Sequence, residues 1–208
     1  MMKMKIDDRT VELSRVVGGL GWPSDLPGFV AILGEEIFNE LPFPRTGEER
    51  RYHVLDGMEE PDMEELIKGA TALKGRYHVE IIYGRPKATK GQELPAMHFL
   101  DQWNLTSFSQ GVAPLYLIDA PFTEDRGLVA FHMNTLKGLL RPEKRSLFIP
   151  PASVLNGRLR EIPDHVTNLK DVDCPAVAAL AYAVSALTMW RGDLYEQEDL
   201  EPPYEGEA

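Results

Sequence analysis

The sequence predicts an α/β domain: a mixed central sheet, in which an antiparallel three-strand meander is continued by parallel strands, flanked by helices. Three observations predict it. The apolar runs Val16–Trp22, Gly28–Gly34 and Tyr52–Met58 are of strand length and follow one another with no helical pattern between them. A helical pattern then separates the third run from the β-branched run Val79–Gly84, and a strand reached through a helical crossover lies parallel to its partner. Last, the alanine-rich stretch Pro175–Trp190 has the composition of a buried helix packed against a sheet.

Each element has a local reason. Pro23–Pro27 is turn chemistry that joins the first two runs as a hairpin, and a polar, Pro- and Arg-rich loop from Glu40 to Arg50 leads to the third. Asp62 is placed to cap a helix from Met63, with Met63, Leu66, Ile67, Ala70 and Leu73 on one face, Glu64, Glu65 and Lys68 on the other, and Gly75 as its stop. Beyond Val79–Gly84 the pattern weakens. Gln92–Asn104 reads as helix, Leu105–Gly111 as a polar connection, and Pro114–Ala120 as a fifth strand ending in a carboxylate. Leu128, Phe131, Leu136 and Leu139 have helical spacing within Glu124–Leu140, and Pro142 stops that helix. Ser146–Pro150 reads as a short strand or extended segment, and Val154–Leu169 as loop with a short element at Leu159–Ile162. Pro175 is well placed in the first turn of the last helix. One domain over residues 1–195 and an acidic tail over 196–208 are expected.

Composition narrows the function classes. A formal net charge of −11 and an isoelectric point near 4.9 oppose a surface built to wrap phosphates, because counterion release needs clustered Lys and Arg. Weak or no DNA binding by the chain alone is therefore expected. The one cysteine, Cys174, makes no intrachain disulfide, which fits a cytoplasmic location. Asp7, Asp8 and Arg9 interrupt the basic N-terminus before a signal-peptide core can form, and Ala176–Trp190 is too short to span a bilayer, so no membrane role is expected.

The order strand, strand, strand, helix, strand, helix, strand and final helix is that of the RNase H-like fold. Within it the chain resembles the nuclease domain of phage terminase large subunits, on three local matches. Val17-Gly18-Gly19-Leu20-Gly21-Trp22 with Ser24-Asp25 is similar to an opening strand that reads Gly-x-Asp-Trp in that family. Asp62–Tyr83 is similar to the helix and strand that end Glu-Ile-Ile-Tyr before Ala-Asp. Asp171–Ala183 resembles the last helix, which reads Asp-His-Ala-x-Asp-Ala-x-Arg-Tyr-Ala. The resemblance implies a two-metal site in which Mg²⁺ or Mn²⁺ activates water and stabilises the leaving oxygen. The positions that supply its acidic ligands fall here at Gly21, at Arg85 or its neighbour Gly84, and at Ala178. None of these side chains holds a divalent cation, and Arg85 places a fixed positive charge among them. No cofactor is expected on this reading.

The remaining carboxylates have two readings each. Asp25 is turn chemistry or a relocated ligand, and Asp119 at a strand end is a turn starter or a ligand. Asp171 and Asp173 precede the last helix, where carboxylates cap orphan amides; they too are candidate ligands if they converge with the others. Arg85 is expected to pair with Asp25 or Asp119. Asp56 on the third strand is expected exposed or paired. His53, His78, His98, His132 and His165 lack metal-ligand spacing, and no histidine adjoins Cys174 to support a nucleophile. Gly18-Gly19-Leu20-Gly21 lacks the helix a dinucleotide loop needs, so its glycines read as close strand packing or a bulge.

Three functions follow. The first is a terminase-like domain of phage or prophage type that has lost catalysis, a pseudoenzyme serving binding or assembly, as in DNA packaging. The second is an active Mg- or Mn-dependent endonuclease with relocated carboxylates. The third is a module whose acidic tail docks a basic protein partner, with no contact to nucleic acid.

Overall fold

The computed structural model describes residues 2–6, 8–22, 27–38, 49–86, 96–109, 117–119, 136–140, 146–151, 153–160 and 174–189. Its strands are β1 (Met2–Ile6), β2 (Arg9–Trp22), β3 (Gly28–Phe38), β4 (Glu49–Glu60), β5 (Ile82–Pro86), β6 (Leu117–Asp119) and β7 (Leu147–Phe148). The helices are α1 (Met63–Tyr77), α2 (Ala96–Ser109), the short α3 (136–140), α4 (Val154–Arg160) and α5 (Pro175–Met189).

The seven strands form one sheet in the order β6-β5-β2-β3-β4-β7, with β1 paired to β2 off that path. β2, β3 and β4 are the antiparallel meander; β5 runs parallel to β2, β6 parallel to β5, and β7 parallel to β4. A meander continued by parallel strands, with helices on both faces, is the RNase H-like α/β arrangement that the element order predicts.

Alternation along the meander sorts its side chains into two cores. Val16, Leu20, Val30 and Ile32 pack with Leu66, Ile67, Ala70 and Leu73 of α1 and Trp103 of α2. Val17, Phe29, Ala31 and Leu33 pack on the other face with Val177, Leu180, Val184 and Leu187 of α5. Helix α1 starts as expected, its Asp62 carboxylate accepting from the Glu64 and Glu65 amides at 2.8 and 3.2 Å.

Several sequence expectations are corrected. The strands of the meander are longer than their apolar runs. β2 begins at Arg9, because Val11 and Leu13 are buried while Glu12 is exposed, a period of two that continues the run backwards. Ahead of it lies β1, which the sequence reading missed: Met2, Met4 and Ile6 lean on the α1-side core while Lys3 and Lys5 face water. Gly75 does not end α1. The helix runs on to Tyr77 and is closed by His78 in the left-handed region at φ 51°, with Val79 N–H donating to the Lys74 carbonyl.

Val79–Ile81 lie outside β5, yet Glu80 N–H and Gly18 N–H bond across to Val16 and Ile81 carbonyls. Leu105–Ser109 continue α2 instead of forming a polar connection, although Leu105 and Phe108 are exposed on it. A helix runs over Val154–Arg160, held by fully buried Leu155, so it starts ahead of the expected short element Leu159–Ile162, whose last two residues lie outside the described residues. Residues 23–26, 40–48, 110–116, 120–135 and 161–173 lie outside the described residues, as do the tail 196–208 and the turn, loop, strand-end and helix expectations placed there.

Candidate functional site

The register of the sheet sets side by side two of the positions to which the resemblance assigns ligands. Gly21 of β2 lies opposite Arg85 of β5, and Gly84 lies opposite Asp119 of β6, so three neighbouring parallel strands end side by side. In an open α/β sheet the carboxyl ends of the strands are where ligands are received. Ala178, the third of these positions, is on α5, partly buried against the core of its face.

What occupies the place is α5 itself. A Cβ on Gly21 would stand 2.8 Å from the carbonyl carbon of Pro175 and 2.9 Å from its Cα, nearer still to the carbonyl oxygen. A Cβ on Gly19 would stand 2.8 Å from the carbonyl carbon of Ala179 and 2.9 Å from the amide nitrogen of Ala183. Two glycines spaced by two residues on one face of β2 thus admit the helix backbone directly against the strand. A carboxylate at position 21 has no room. Of the positions to which the resemblance assigns ligands, Gly21 and Ala178 offer no side-chain ligand atom for a divalent ion, and the backbone of α5 stands where a side chain from Gly21 would go.

Asp25, Asp171 and Asp173 lie outside the described residues, and for Arg85 and Asp119 the backbone alone is described, so the expected pairing of Arg85 lies outside them too. Among the described residues no three His, Cys, Asp or Glu side chains gather as a metal site. Cys174 is half-buried, its carbonyl accepting from the Val177 and Ala178 amides as α5 begins. His78 is the exposed cap of α1. His132 and His165 lie outside the described residues, as does the side chain of His98.

A second polar cluster, which the sequence reading did not pick out, sits at the opposite end of β2, about 25 Å away at roughly 3.3 Å per residue. Here β3 buries two consecutive carboxylates, one on each face of the sheet. Glu35, 1% exposed, accepts from Arg50 of β4 and from the Ser14 hydroxyl at 3.2 Å, Ser14 standing at a bulge in β2. Glu36 accepts a two-point contact from Arg9, at 3.1 and 3.5 Å, and a hydrogen bond from His53 Nε2 at 2.7 Å. Burial holds His53 below the usual histidine range; Glu36 pulls it upward, and the positive charges of Arg9 and Arg51 push it down. The sequence signal was Glu35-Glu36 directly after the run Gly28–Gly34, where a strand continuing past the run places one of the pair on each face.

On the α1 face, Asp56 is paired, as one of its readings expected. It accepts from the Tyr77 hydroxyl at 3.0 Å, from Arg76 at 3.3 Å and from the Gly57 amide at 2.8 Å. Burial raises the Tyr77 hydroxyl above its ordinary range; Arg76 acts against this and Asp56 with it.

No family model matches the chain, and no curated protein matches it. Among solved structures it is similar to the nuclease domain of the large terminase of bacteriophage SPP1, crystallised with bound Mn. The identity is 13%, the TM-score 0.49, and the alignment covers 83% of this chain and 86% of that one.

Proposed function

We propose that this chain is a terminase-nuclease-like domain of the RNase H type that binds or assembles with a protein partner and does not cut nucleic acid. One observation carries the reading: the backbone of α5 lies against Gly19 and Gly21, where the resemblance places the first metal ligand. A two-metal nuclease needs carboxylates that converge on an open cleft, and this contact leaves β2 unable to supply one. The acidic stretch Glu196–Glu207 adds charge complementarity to a basic partner.

The register of Gly84 with Asp119 favours a second reading, an endonuclease whose ligands have moved to Asp119, Asp25 and Asp171 or Asp173. Incubation of the full chain with supercoiled plasmid in Mg²⁺ or Mn²⁺, alongside calorimetric titration with Mn²⁺, separates the two. The expected result is intact plasmid and no saturable heat. Mn²⁺-dependent nicking that disappears in Asp119→Ala would overturn the proposal and establish the nuclease.

A further inference from the structure

His53 carries a feature that neither the metal question nor the packing of the sheet uses. Its ring is buried and stacked on Phe148 of β7, with centroids 5.2 Å apart and planes 18° from parallel. Nε2 is engaged by Glu36, while Nδ1 is buried with no hydrogen-bond partner among the described residues. β7 itself is held to β4 by little backbone: two residue pairs, Tyr52 with Leu147 and His53 with Phe148, and a bond from Tyr52 N–H to the Ser146 carbonyl. The side chain that Phe148 leans on is therefore one that takes up a proton.

We propose that His53 is an acid-sensitive latch for β7, the outermost strand among the described residues on that side of the sheet, closed when the ring is neutral and released when Nδ1 is protonated. The neutral ring has one proton, which Glu36 holds on Nε2. A second proton, taken from water, has only Nδ1 to go to, and there it meets a buried position with no acceptor, a penalty that hydrogen bonding elsewhere does not offset. Of the charged groups that face the ring, Glu36 from β3 favours the imidazolium, whereas Arg9 from β2 and Arg51 from β4 itself oppose it; β7 contributes the uncharged ring of Phe148. Withdrawal of β7 gives Nδ1–H water as its acceptor. The sign follows: the folded pKa lies below the ordinary value, so the closed latch keeps its full stability above that ordinary value and loses it as pH falls toward the folded one.

Amide hydrogen exchange of the full chain, followed by mass spectrometry at about pH 7.5 and about pH 5.5, on either side of the ordinary histidine pKa, tests this. With intrinsic rates corrected, protection over 146–150 is expected to fall several-fold more at acid pH than protection over β2 and β3. His53→Gln keeps an N–H for Glu36 but does not titrate, and is expected to remove the difference. Equal loss across the whole sheet, or no loss at 146–150, overturns the latch. Should His53→Gln not fold, the imidazole carbon shifts of the unaltered chain decide. A ring that titrates below the ordinary value in step with Phe148 ring shifts supports the latch, and one that titrates at or above that value overturns it.

Discussion

At the scale of single residues, the sign of a substitution is set by what already stands where the new atom must go. Gly21→Ala puts a methyl group on the Pro175 backbone, which as part of a buried helix cannot step aside as a side chain would. Overpacking of this kind costs about 1–3 kcal/mol, so a clear fall in the urea midpoint is expected. Gly21→Asp, which writes the family's ligand back into β2, is expected to lower stability further and to confer no Mn²⁺ binding by calorimetry. Tyr77→Phe removes the hydroxyl that Asp56 accepts from and is expected to cost about 1 kcal/mol in urea unfolding. Because the Tyr77 hydroxyl titrates above its ordinary range, its stability is whole below the unfolded tyrosine pKa of about 10 and is lost as pH rises through the folded value. Unfolding midpoints followed into the alkaline range are expected to fall less steeply in Tyr77→Phe.

At the scale of elements, α1 provides the contrast. Its Gly75 is exposed in the last turns, and a Cβ there would meet nothing within 4 Å. Gly75→Ala is therefore expected to stabilise the protein by about 0.5–1 kcal/mol, the opposite of Gly21→Ala, because alanine has less backbone freedom to lose in an unstrained helical position. Asp62→Ala, which strips two amides of their acceptor, is expected to cost about 1 kcal/mol by thermal or urea unfolding. The legibility of the elements follows the same physics. The start of α1 was legible because a cap is a local contact between residues two and three apart. Its end was not: glycine is only a weak stop, and the left-handed cap fell on His78, whose conformation no neighbouring residue type announces. β1 carries a plain alternation of apolar and lysine residues, yet five residues of alternation decide nothing until a partner is known.

At the scale of the whole molecule, two cores on opposite faces of one sheet make the meander the common wall of the fold, and the whole sequence carries a net charge of −11. That charge gives the bulk prediction. Fluorescence anisotropy with a labelled duplex at about 0.15 M salt is expected to show no saturable binding by the full chain, since few counterions would be released; tight, salt-sensitive binding would contradict it. No described helix is long and apolar enough to cross a membrane. The positions of the candidate site came from three short local matches, and that two of them, Gly21 and Arg85, stand opposite one another follows only from the register of β2 with β5. The buried pair Glu35 and Glu36 was not singled out, because their partners Arg9, Ser14, Arg50 and His53 come from two other strands and meet them only through the register.

By itself the sequence determined the class of fold, the meander, the crossover to a parallel strand and the last helix, because hydrophobic periodicity and caps act over a few residues. It also determined that glycine and alanine stand where the resemblance expects carboxylates. Only the tertiary structure decided what fills the space those carboxylates would cross. A glycine in a strand permits either an open cleft or a backbone in contact, and the choice depends on a helix more than 150 residues further along the chain, whose carbonyls lie against Gly19 and Gly21.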